Sequence, residues 1–153
     1  MTTTLTAATL TVKIHESISL NGKDQGATTS LSLSSINEIS KRIVTVTTTE
    51  VEVIAMSTAV TSGTYIEGDV KYIRFTNLDD TNHITLTFKD EDNTEFRVKV
   101  DKGQSFIYNG DISGGVVDTM KASGSALGSG LADLYDVTAD ADTASCDMEI
   151  FIA

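Results

Sequence analysis

Leu10, Val12 and Ile14 alternate with polar residues, and Ile18 and Leu20 resume the same parity after a polar step. Apolar side chains at every second position mark a β-strand with one wet face. Asn21-Gly22 follows, a pair suited to a type I′ hairpin turn because both positions need positive φ. The connection is allowed to run as far as Gly26 before Leu31 and Leu33 alternate with serines on the return strand. Ile36 to Arg42 stays open between a helical turn and an extended lead-in. Val44 and Val46, then Val51, Val53 and Ala55, continue period two, while the small, polar stretch Ser57 to Gly68 reads as an exposed loop.

Val70 to Asn109 carries the clearest alternation. Ile73 and Phe75 point one way and Tyr72 and Arg74 the other. Ile84, Leu86 and Phe88 alternate with Thr and Lys, Asp90 to Asn93 makes a polar tip, and Phe96, Val98 and Val100 answer on the next strand. Asp101-Lys-Gly103 is a further turn before Phe106 and Tyr108. Three or four antiparallel strands in a meander are expected.

Gly110 to Gly130 is rich in Gly and Ser, with a short helix considered over Val116 to Lys121. Long excursions of this kind in small domains are functional or mobile. Leu134 to Thr138 and Cys146 to Ile152 then supply two closing strands. The pattern predicts an all-β chain: an antiparallel β-sandwich, jelly-roll-like, with about ten short strands and one long Gly/Ser-rich loop. The expected organisation is an N-terminal arm over 1–8 and a single sandwich domain over 9–153.

Composition agrees. The chain has 153 residues, the length of one domain. Thr, Val and Ile are stiff at χ1 and suit a pleated surface. Proline is absent, so no strand is barred from ladder pairing, and sheet edges lack one of their usual guards. The net charge of −11 disfavours nucleic acid as a partner, since no Lys/Arg cluster offsets it. No segment approaches the ~20 apolar residues of a membrane span, and Met1-Thr-Thr-Thr-Leu-Thr has neither the basic nor the apolar region of a signal peptide. Synthesis in a cytoplasm is expected.

Chemistry is sparse. The single cysteine, Cys146, shares its parity with Met148, Ile150 and Ile152, which makes it a buried, inert thiol. His15 and His83 have no partner at metal-site spacing, and a cross-strand pairing of the two is the remote alternative to two strand-end residues. No Gly-x-Ser-x-Gly elbow is present, and Gly124 to Gly130 lacks the Gly-Lys-Ser/Thr ending of a phosphate loop. Asp79-Asp80, Asp90-Glu91-Asp92 and Asp140-Ala-Asp142 sit at expected turns. Hard oxygen ligands there suit Ca²⁺, against the plainer reading of solvated turns. No acid/base pair can be assigned, so the chain is read as no enzyme and without cofactors.

Two stretches resemble a known group. Val70-Lys-Tyr-Ile-Arg-Phe-Thr-Asn77, His83-Ile-Thr-Leu-Thr-Phe88, Phe96-Arg-Val-Lys-Val100 and Lys102-Gly-Gln-Ser105 form one; Leu134-Tyr-Asp-Val-Thr-Ala-Asp-Ala-Asp-Thr143 leading into Met148-Glu-Ile-Phe-Ile152 forms the other. This order of strands, turns and closing strand resembles small virion structural proteins of tailed phages, marine ones in particular, over residues 70–153. The resemblance implies a β-domain that coats or joins parts of a particle and catalyses nothing. Its partners would be the major capsid protein or other virion proteins, and its place the virion after synthesis in the host cytoplasm.

The expectation is therefore a homo-oligomeric capsid decoration or cement protein, with a head–tail junction or tail component as the alternative. Thr2, Thr3, Thr4 and Leu5 in the arm and Gly114, Gly115, Gly124 and Gly128 in the Gly/Ser loop are the expected assembly contacts, through strand addition and adaptable backbone hydrogen bonds. A rival from another class is a carbohydrate-binding or adhesive sandwich, with or without calcium, which would need aromatic platforms from Tyr65, Tyr72, Tyr108 and Tyr135.

Overall fold

The structure is a computed structural model that describes residues 4–109 and 133–153. These residues form thirteen β-strands, with no helix among them. Three of the strands, β2 (Ser19–Leu20), β3 (Lys23–Asp24) and β7 (Tyr65–Ile66), are two residues long. The Gly/Ser stretch and its expected short helix lie outside the described residues.

Contacts divide the chain into two compact units, Met1–Glu38 and Ile39–Ala153. The division falls at Glu38/Ile39. The reason is pairing: β1 (Ala8–Glu16) spends its hydrogen bonds on β4 (Ala27–Ile36), so the two strands form one self-contained antiparallel ribbon.

In that ribbon Leu10 faces Leu33, Val12 faces Leu31 and Glu16 faces Ala27. The same register continues outward. The Gln25 N–H donates to the Ile18 carbonyl at 2.9 Å, and Ser19 and Leu20 pair with Asp24 and Lys23. The hairpin closes on Asn21 (φ 52°) and Gly22 (φ 74°), the positive-φ pair that a two-residue turn demands. No loop to Gly26 is needed. At the other end an extra residue shifts the register between Ala8 and Leu10, beside Ser35 at φ 60°. At ~3.4 Å per residue, the ribbon from Leu10 to Leu20 is roughly 35 Å long.

The second unit is an antiparallel sandwich. Ile36 to Arg42 is extended, and β5 (Ser40–Val46) begins the sandwich, followed by β6 (Val51–Ser57), β8 (Tyr72–Asn77), β9 (Ile84–Asp90), β10 (Glu95–Val100), β11 (Ser105–Asn109), β12 (Leu134–Ala141) and β13 (Cys146–Ile152). One sheet has the order β11-β8-β13-β5 and the other β10-β9-β12-β6-β7. The pairs nest like a ribbon folded at its midpoint: β5 with β13, β6 with β12, β8 with β11 and β9 with β10. The pairs β13–β8 and β12–β9 roll that ribbon into two layers. The stretch from Ser57 to Gly68, read as an open loop, instead contributes β7, which runs parallel to the end of β6.

Alternating inward side chains fill the space between the layers. Ile73 and Phe75 of β8, Ile84, Leu86 and Phe88 of β9, Val137 and Ala139 of β12, and Met148 and Ile150 of β13 are buried in one cluster. Phe88 sits at its centre, stacked on Phe96 at 4.7 Å and Tyr108 at 5.2 Å, with Phe75 edge-on at 5.8 Å. Cys146 is buried among them, and burial pushes its thiol pKa up, as an inert sulfur requires.

Candidate assembly surfaces

The expected chemical residues are spent on local structure. His15 Nδ1 lies 2.8 Å from Thr28 Oγ1, its rung partner across the ribbon, so the cross-strand partner of His15 is a threonine. His83 Nδ1 lies 3.4 Å from Asp142 Oδ2. Asp79 Oδ1 accepts from the Thr81 and Asn82 N–H groups at 2.7 and 2.6 Å, and these bonds hold its carboxyl below the usual range. Asp80 accepts from the Thr81 hydroxyl at 2.8 Å. Asp90 accepts from Thr94 N at 2.7 Å, shaping the tip between β9 and β10. Asp140 pairs with Arg97 at 2.6 Å. These carboxylates serve as turn-forming acceptors and ion-pair partners; among the described residues no group of three His, Cys, Asp or Glu side chains is placed to hold a metal ion.

A buried asparagine, unremarked in the pattern, ties the sandwich together. Asn77 donates from Nδ2 to the Asn82 and Val100 carbonyls at 2.9 and 3.2 Å and accepts from Asp79 N at 3.0 Å. Its own strand belongs to one sheet and Val100 to the other. The outer face of the first sheet carries a polar ladder: Glu149 on β13 bonds Arg74 on β8 at 2.6 Å and Lys41 on β5 at 3.1 Å. Arg74 first and Lys41 second hold the Glu149 carboxyl below its ordinary range. Arg74 also donates to Thr76, whose hydroxyl meets Ser105 on β11 at 2.7 Å.

Carboxylates crowd at two further places. Burial raises the pKa of Asp136, Lys89 opposes the shift, and Glu52, Glu95 and Glu50 add to it. Burial, then Glu91 and Asp133, raise that of Glu67.

Thr4 and Leu5 are exposed and precede the first strand; Thr2, Thr3, Gly114, Gly115, Gly124 and Gly128 lie outside the described residues. Exposed apolar side chains occur in the ribbon at Ile14 (50%), Ile18 (57%) and Leu20 (61%). In the sandwich they include Ile39 and Ile43, beside or on β5, whose strand ladder among the described residues runs along β13 at the edge of its sheet. An edge strand of the other sheet, β10, carries Glu95, Arg97 and Lys99, the charges that keep edges from pairing indiscriminately. Of the tyrosines named as platforms, Tyr72 is buried against Phe151, Tyr65 and Tyr108 are half-buried, and Tyr135 alone is exposed, under the Lys89 ammonium at 5.8 Å.

No helix among the described residues is long and apolar enough to cross a membrane. Comparison with family models, with curated proteins and with solved structures finds no match to this chain.

Proposed function

We propose that this chain is a non-enzymatic structural protein of a virus particle, a capsid decoration or cement protein that assembles as a homo-oligomer. The observation that carries the reading is the nested strand pairing, β5–β13, β6–β12, β8–β11 and β9–β10, rolled into two sheets. We read it as a jelly roll, the two-Greek-key sandwich that capsid and lectin domains share. Between those two uses, the aromatic count favours the particle. A sugar-binding face relies on exposed rings, and Tyr135 is one ring, already covered on one side by Lys89. A shell component relies on extended contact surfaces, and the ribbon and the β5 edge supply them.

Quantitative mass spectrometry of purified particles tests the reading. A copy number in the hundreds, in proportion to the major shell protein, is the expected result. Six or twelve copies would move the protein to the head–tail junction, and absence from particles would overturn the proposal.

A further inference from the structure

The ribbon has two unlike faces. Directly opposed residues share a face, so register and parity place Ile14, Glu16, Ile18 and Leu20 together with Thr29, Ala27, Gln25 and Lys23. The other face is Thr11, Lys13 and His15 against Ser32, Ser30 and Thr28, polar throughout. Along the first face burial falls steadily outward. Leu33 is buried, Leu10, Val12 and Leu31 are half-buried, and Ile14, Ile18 and Leu20 are at least half exposed. A two-stranded ribbon with an uncovered apolar face is marginal in water, so the outer half calls for a partner.

Charge says which partner. Residues 1–38 hold two basic and three acidic side chains, a net −1, whereas residues 39–153 hold nine and nineteen, a net −10. Two copies of so acidic a sandwich repel one another, and the near-neutral ribbon is the part of the chain where a second copy can approach at least cost. The exposed face is also self-complementary in charge, since its ionic side chains are one acid, Glu16, and one base, Lys23.

We infer that the outer ribbons of two copies of this chain pack face to face through Ile14, Ile18 and Leu20, an isologous contact. The inference deepens the self-assembly half of the function proposed above and rests on it. Three side chains per copy make a contact at the small end of specific interfaces, so the pair is expected to form and dissociate with concentration in the micromolar range.

Sedimentation equilibrium of the full chain decides. The triple variant Ile14→Thr, Ile18→Thr, Leu20→Thr keeps β-branched or β-compatible side chains at exposed positions, and Ser30→Lys alters only the polar face. Wild type and Ser30→Lys should dimerise alike, and the triple variant should associate at least tenfold more weakly with an unchanged melting temperature. Equal association of wild type and triple variant would overturn the ribbon contact and leave self-assembly by another surface standing. A wild type that stays monomeric, including one whose ribbon binds only other particle proteins, would overturn both.

Discussion

Asn77 and Asp136 are both buried polar side chains, and they pull in opposite directions. Asn77 has both ends of its amide satisfied across three partners, so it gives the β8–β9 turn one geometry at little cost. Asp136 is buried near other carboxylates with Lys89 opposing them, and its pKa rises because burial disfavours the charged form. The sign of the pH effect follows. A carboxyl with a folded-state pKa above its unfolded value binds more protons when folded, so stability falls as pH rises from the unfolded to the folded pKa. Below the unfolded value the penalty is absent. Asp136→Asn should therefore stabilise the protein at pH 7, by under ~1 kcal/mol since the site is partly screened. The gain should shrink as pH drops through the folded pKa. Thermal melts of both proteins between pH 4 and 7 check this; a gain that grows toward acid would contradict it. Asp79, Asp101 and Glu149, held low by hydrogen bonds and cations, contribute in the opposite sense, losing stability as pH falls.

Strands were legible wherever alternation ran unbroken. Ile84, Leu86 and Phe88 are inward and buried, and Cys146, Met148, Ile150 and Ile152 likewise. Bulges were not legible, because one inserted residue flips parity without changing composition. On β6 a register shift puts both Val53 and Ile54 inside and Met56 after them, so Ala55, expected inward, is not. On β12 the shift between Leu134 and Asp136 turns Tyr135 out to solvent. The ribbon was half legible. Its strands and turn announced themselves, but alternation looks the same on a strand that joins a sandwich and on one that pairs in a separate hairpin. Gly26, between the hairpin tip and β4, lets the two strands approach closely: an added Cβ there would collide with the Glu16 carbonyl oxygen of β1. Gly26→Ala must push the two strands apart, a cost of about 1–3 kcal/mol. Hydrogen exchange should show the Gln25 amide losing protection while amides of β8, β9 and β13 keep theirs. Loss spread evenly over the sandwich would mean that the ribbon does not open as its own unit.

At the scale of the molecule, charge is partitioned as sharply as contacts are. Nearly all of the net −11 belongs to residues 39–153, and the apolar ribbon face belongs to residues 1–38. Self-association then sets an apolar attraction, which salt does not weaken, against a like-charge repulsion, which salt screens within ~10 Å at 0.1 M. Raising the ionic strength from 20 mM to 500 mM should therefore tighten association between copies. Lowering the pH toward the pI of about 4.4 should do the same by neutralising carboxylates. A contact made by ion pairs, such as one through Lys41 and Arg42 on the β5 edge, would weaken with salt instead. The slope of the dimerisation constant against salt concentration, measured by sedimentation, separates the two: a rising slope places the contact on the neutral ribbon, and a falling one moves it to the charged sandwich.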